Sequence, residues 1–320
     1  MLLAPKMRFI YFFSYLTIFL LSLSSCVTIK DTKISQLIRS NKCYQPTDYV
    51  YTSQDMPNTS DLFRLDQSEM RSKMTSESLF VASTLGLSEV LGEYYLLKQQ
   101  SSLPNLEQRI RLLELRQLIY NKINNASLAI SAVSSELDCE EERISQIASY
   151  LSDKQSNLES NLTIGAIVLG ASGAILTSGV IKNDKASNTV AISVGVAEAG
   201  LGLAMLFNKR KIVIKHRRNI LKDIWEGPET SVKFPAFIWY YLNYETLGQP
   251  SLRNEIIDKW AQFGQINQAN QDFAMLYFNE GGKYTSSELE NRADMYDQLG
   301  SQIYLLKQKL MTLTKEIDQL

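Results

Sequence analysis

Two long apolar runs at mid-chain restrict this sequence more than any other feature. Leu162 to Ile181 carries no charge, and after a polar link from Lys182 to Asn188 the run Thr189 to Phe207 is apolar again except for Glu198. Each run is about twenty residues, which at about 1.5 Å per residue matches the roughly 30 Å hydrocarbon core of a bilayer. The pattern predicts a Gly/Ala-rich helical hairpin of membrane-spanning length over 161–208. Ala166, Gly170, Ala174 and Ser178 recur at intervals of four in the first run, and Ala191, Gly195 and Ala199 do so in the second. Small faces of this kind let backbones approach closely, so these residues are the expected packing positions. The rival expectation is two buried helices at the centre of a soluble bundle, although core helices more often carry about 10 to 14 apolar residues. Glu198 favours that rival, because a carboxylate facing lipid costs about 2.5 to 3.5 kcal/mol. The conflict eases if hairpins oligomerise and Glu198 faces a subunit interface or a watery lumen.

Helical periodicity governs the flanks. Ser68 to Gln100 has a helical pattern interrupted by Gly86 and Gly92, which predicts a kinked or split helix. Leu112, Leu115, Ile119, Ile123, Ala126, Ile130, Val133 and Leu137 follow steps of three and four, and Ile144, Ile147, Leu151, Leu158 and Leu162 resume the stripe after Asp138, where a kink is expected. Glu140-Glu141-Glu142 reads as a solvated helix start. Beyond Lys209 another helix is expected through Ile212, Ile220, Leu221, Ile224 and Trp225 to a stop at Gly227-Pro228. Shorter helices follow from Pro235, from Ser251 to Phe263 and from Asn267 to Phe278. Thr285-Ser286-Ser287-Glu288 has the capping-box pattern and opens a last helix, whose stripe Leu299, Ile303, Leu306, Leu310, Leu313, Ile317, Leu320 must pack on another helix. Phe234, Phe237, Trp239, Tyr240, Tyr241 and Tyr244 suit either a core or a membrane interface. The expected fold is all-α, an elongated bundle of coiled-coil-like helices around the hairpin.

The N-terminus has a different character. Lys6 and Arg8 precede an apolar run from Phe9 to Leu23 that ends in Leu23-Ser24-Ser25-Cys26, the layout of an export signal. With Cys directly after Leu-Ser-Ser, the leader resembles the lipobox of bacterial lipoproteins. The resemblance implies cleavage before Cys26 and a covalent lipid on its thiol, with Val27 rather than Asp next to it pointing to the outer membrane. Two or more acyl chains hold a protein stably where one does not. The expected organisation is then a signal peptide over 1–25, an arm or tether over 26–61, a helical region over 62–160, the hairpin over 161–208 and a C-terminal helical region over 209–320. An anchored Cys26 starts the chain in the periplasm, and a hairpin returns it there. The basic flank Lys209, Arg210, Lys211, Lys215, Arg217 and Arg218 then lies outside, contrary to the positive-inside tendency of an inner membrane. Outer-membrane insertion avoids the conflict, with that cluster meeting anionic head groups.

Two further cysteines, Cys43 and Cys139, read as a possible disulfide in an oxidising compartment, with two buried thiols as the alternative. Reactive chemistry finds little material. His216 is the one histidine, which leaves no multi-histidine metal site, and its setting among basic residues speaks against a histidine-based triad; no phosphate loop, dinucleotide fingerprint or Gly-x-Ser-x-Gly elbow occurs. The 33 basic and 34 acidic residues leave no basic excess for nucleic acid. The chain is expected to be no enzyme, to take no cofactor beyond lipid at Cys26, and to bind no metal, nucleic acid or small-molecule substrate. Its expected partners are membrane lipid and either further copies of itself or an envelope protein complex.

The leading expectation is a lipid-anchored outer-membrane protein with a periplasmic body, acting structurally or in assembly of the cell envelope. In architecture it is similar to surface-exclusion lipoproteins of the TraT type, which join a lipid anchor to Gly-rich apolar helices, though no stretch matches them residue by residue. The second expectation is an α-helical pore former: long helices flanking a central apolar hairpin look like haemolysin-BL-type toxins, whose hairpin is hidden until a conformational change. The third is a soluble helical accessory lipoprotein that docks a partner through the C-terminal stripe.

Overall fold

The apolar stripes fold as helices. The computed structural model describes residues 34, 36, 38, 43, 44, 48, 49, 72–99, 105–180, 184–245, 250–266 and 271–320, and among them are nine α-helices and one two-stranded sheet. Helices α1 (Ser76–Thr84) and α2 (Ser88–Gln99) divide the first periodic region. The break is Gly86, at a φ of 62° that other residues rarely adopt, whereas Gly92 lies inside α2. Thr75 caps α1 by accepting the Ser78 N–H at 3.2 Å.

Helix α3 (Leu106–Ile175) runs through Asp138 as one unbroken helix and passes into a π-helical turn, Leu176–Val180. The acidic run is therefore no helix start. Glu140 is buried and accepts from Arg143 Nη2 one turn along at 2.6 Å, so its charge is met inside the helix pair rather than by water. Helix α4 (Asp184–Phe207) follows, then strand β1 (Ile212–Lys215), α5 (Ile220–Glu226), α6 (Ala236–Asn243), α7 (Leu252–Gln262), α8 (Gln271–Phe278), strand β2 (Gly281–Tyr284) and α9 (Ser286–Gln319). The helix expected beyond Lys209 begins instead at Ile220. Ile212-Val213-Ile214 is β-branched throughout, and it forms a strand with Ile212 and Ile214 buried and Val213 exposed.

The chain forms two compact units, and their borders depart from the expected domain limits. One gathers the described residues of Ser145–Ile214 and Lys283–Glu290, the other those of Ser40–Ile144, Lys215–Gly282 and Asn291–Leu320. The helical regions expected as 62–160 and 209–320 are thus interleaved, because their apolar stripes complete one core. In that second unit Leu115, Ile119, Ile123, Ile130, Val133 and Leu137 of α3 are buried, as are Leu299, Ile303, Leu306, Leu310, Leu313 and Ile317 of α9. Gly300 stands against Leu137 at one end, and Tyr120 Oη donates to Asp318 at 2.5 Å at the other, so the two helices pack antiparallel. The terminal stripe is covered by its own chain. Phe234 and Trp239 are buried in the same unit with their rings stacked at 5.3 Å, which makes them core residues. The expected capping box forms within the first unit: Glu288 accepts the Thr285 N–H at 2.7 Å, and Thr285 Oγ1 accepts the Glu288 N–H at 3.3 Å.

Candidate functional site

The hairpin of α3 and α4 presents apolar side chains outward. Both helices are long and apolar enough to cross a membrane, and only 6% and 0% of their most apolar stretches are buried in the protein. Ile167 is 65% exposed, Ile192 69% and Phe207 81%. Within the chain itself the two helices are thus not buried at a bundle centre. A run of this character in water would be an anomaly, since exposed apolar patches on soluble proteins seldom exceed a few hundred Å².

The seam between the helices differs from the one expected. Contacts descend in antiparallel register from Gly165 with Leu201, through Gly170 with Glu198, to Gly173 with Val194, and close with the Ser187 hydroxyl donating to the Thr177 carbonyl at 3.3 Å. Gly173 is the tightest point, where an added Cβ would stand 2.8 and 2.9 Å from the two Val194 methyls. Of the expected packing positions, Ala166 and Gly170 lie on the half-buried side, while Ala174, Ser178, Ala191, Gly195 and Ala199 are exposed. Gly170 meets α4 as expected, whereas an interval of four drifts against the 3.6-residue turn and carries Ala174 and Ser178 out of the seam. On α4 the half-buried positions are Ser187, Val190, Val194, Glu198, Gly200, Leu201, Ala204 and Met205, and the branched side chains of Val194 and Leu201 stand against glycines of α3. An added Cβ at Gly195 would meet nothing within 4 Å.

Polar groups inside these runs are satisfied locally. The hydroxyls of Thr163, Ser172, Thr177, Ser178, Ser187, Thr189 and Ser193, all seven in the hairpin, donate to main-chain carbonyls, six of them to carbonyls three or four residues back. This is the arrangement that lets hydroxyls enter a medium without water. Glu198 is the exception. Its carboxylate occupies the space where Gly170 has no side chain, and it makes no hydrogen bond or ion pair among the described residues. Within the chain it lies against the companion helix of its own hairpin.

At the hairpin root the Arg210 N–H donates to Gln155 Oε1 at 2.9 Å, and Gln155 Nε2 donates to the Asn208 carbonyl at 3.3 Å, joining the two helices where the apolar runs end. The basic cluster divides. Lys209, Lys215 and Arg217 are exposed, and Arg210 and Lys211 half-buried. Arg218 is buried, donating to Glu136 at 2.9 Å, to Asp48 at 2.6 Å and to the Lys233 carbonyl at 2.8 Å, so it is a core ion-pair residue and not part of a membrane-facing cluster. Adjacent spacing in sequence concealed this, because alternation in and after β1 turns every second residue inward.

Two further groups complete the chemistry of the bundle unit. Cys43 and Cys139 are joined by a disulfide with Cα atoms 5.4 Å apart. Arg292, fully buried, donates to the Tyr277 carbonyl at 2.5 Å, to Asn219 Oδ1 at 2.8 Å and to Tyr296 Oη at 2.9 Å. Burial, then the charges of Arg292 and Arg143, push the imidazole of His216 down to about 2, so it stays neutral. Arg292 escaped sequence reading although a signal existed: it falls on the stripe of α9, three residues after Leu289, where a charge demands a buried partner set. Cys26 lies outside the described residues. No protein-family model, characterised protein or solved structure matches the chain.

Proposed function

We propose that this chain is a lipid-anchored protein of a bacterial outer membrane whose apolar hairpin enters the bilayer, and that it acts as a structural or assembly component of the envelope, as a homo-oligomer or within a protein complex. The observation that carries the reading is the outward apolar surface of α3 and α4 over two membrane-length runs. Helix α4, with 24 residues, extends about 36 Å, enough to cross a core of about 30 Å. Satisfaction of all seven hydroxyls by main-chain carbonyls of the hairpin, or of the turn just before it, supports the same environment. Cys26 supplies the lipid anchor, and Lys209, Arg210 and Lys211, directly after Phe207, meet anionic head groups at the root. The uncovered face Ala191, Gly195, Ala199 offers close backbone approach to a second hairpin. The chain works by occupying and shaping the membrane rather than by catalysis.

An uncovered hairpin weighs against a toxin-like hidden one, and a C-terminal stripe covered by α3 weighs against docking through that stripe. Fractionation of cells carrying Cys26→Ser tests the proposal. With the lipid gone, the hairpin is expected to keep the protein in the membrane fraction through high-salt washing at pH 5. Clean release into the soluble fraction would sink it.

A further inference from the structure

Among the side chains of the apolar runs only one ionises. On α3 no titratable residue lies between Ser160 and Lys182, and on α4 none but Glu198 lies between Lys185 and Lys209. Glu198 sits near the middle of α4, with Gly170 opposite it on α3 and no other titratable group facing it from either helix or from the π-helical turn. Hydrocarbon rejects an ionised carboxylate and tolerates the neutral acid far better. Every neighbouring hydroxyl is already committed to a main-chain carbonyl, so the ionised form has no donor waiting for it in the seam.

We propose that Glu198, seated on Gly170, is a proton-binding site that controls entry of the hairpin into a bilayer. The inference rests on the membrane-inserting reading of the hairpin. Entry proceeds with one proton taken from bulk water onto the Glu198 carboxylate, giving the neutral acid, and no bond of the chain is made or broken. Withdrawal returns the proton to water. Gly170 is the companion residue because any side chain there collides with the Glu198 carboxyl and drives it out of the seam.

The test uses the full chain carrying Cys26→Ser and Ile167→Cys, with an environment-sensitive dye on the introduced thiol and phosphatidylcholine vesicles, whose head groups do not titrate between pH 5 and 8. Ile167 is exposed on α3, so the dye reports hairpin entry and not adsorption of other segments. The expected result is a dye response at pH 5 that is lost toward pH 8, abolition of that pH step by Glu198→Gln with entry at pH 8 matching the acid limit, and a step unchanged by Glu159→Gln. A Glu198→Gln variant that follows the parent pH curve, or a parent that enters equally at all pH values, overturns the proton site while leaving insertion intact. Failure of both the parent at pH 5 and Glu198→Gln to enter overturns insertion and the proton site together.

Discussion

Gly173 sets how closely the two apolar helices approach, and Val194 is what it admits. Both Val194 methyls hang from a β-branched stem that cannot swing aside cheaply, so the space belongs to glycine. Gly173→Ala should therefore loosen the seam by about 1–3 kcal/mol, the usual cost of overpacking. Gly195→Ala should leave it unharmed or slightly firmer, because it fills open space and favours helix. Amide exchange over 187–201 separates the two cases, faster for the first and unchanged or slower for the second; equal effects would contradict the seam described above. His216 gives a second residue-scale expectation. In the unfolded chain it binds a proton near pH 6.5, and in the fold it does not until about 2. The unfolded state thus holds more protons between those values, and stability falls as pH falls through that window, by about 1.4 kcal/mol per unit. Above pH 7 both states are neutral and the site contributes nothing. Replacing His216 by Asn should flatten the fall in urea midpoint between pH 6.5 and 5, whatever its effect at pH 8.

At the scale of elements, the disulfide and the α3–α9 pair carry the bundle unit. Cys43–Cys139 closes a loop with a sequence separation of 96 residues, and loss of such a cross-link costs about 2–5 kcal/mol. A reductant, or Cys43→Ser, should lower the urea midpoint accordingly, and a midpoint indifferent to reductant would mean that the bond holds nothing. On the α3–α9 pair, burial first and then Asp297 push Asp138 up, and burial followed by Glu142, Asp297, Asp138 and Asp294 does the same to Glu141. Here the fold binds more protons than the unfolded chain, so stability rises as pH falls through the folded values, opposite in sign to His216. Asp297→Asn should raise the thermal midpoint at pH 7, with the gain shrinking in acid as Asp138 and Glu141 take up protons.

Elements whose information is local were legible in the sequence. The α3 and α9 stripes, the Thr285 cap, the Gly86 break, the stop at Gly227 and the start at Ser251 all depend on residues within a turn or two, and each occurs as read. The misread parts depend on partners distant in the chain. Glu140 and Arg218 look like surface charges until Arg143 and Glu136 stand beside them, and Ile212–Lys215 becomes a strand because β2, more than sixty residues later, pairs with it. In the hairpin the interval of four was visible, but it drifts against the 3.6-residue turn, and it is the bulk of Val194 and Leu201 that stands against the glycines of α3.

For the whole molecule the division of labour follows from where apolar surface goes. The bundle unit buries its stripes against one another, whereas α3 and α4 in the hairpin unit leave theirs outside. On the proposed reading one chain combines segments suited to two solvents, with the change occurring inside α3. The most direct test is to label native membranes at pH 5 with a photoactivated carbene reagent dissolved in the lipid and to map the adducts on this protein by mass spectrometry. The account predicts adducts on residues 162–180 and 189–207, on exposed positions such as Ile167, Ile192 and Leu203, with the α9 stripe at 299–317 unlabelled. A hairpin without adducts, or labelling spread evenly over both units, would contradict it.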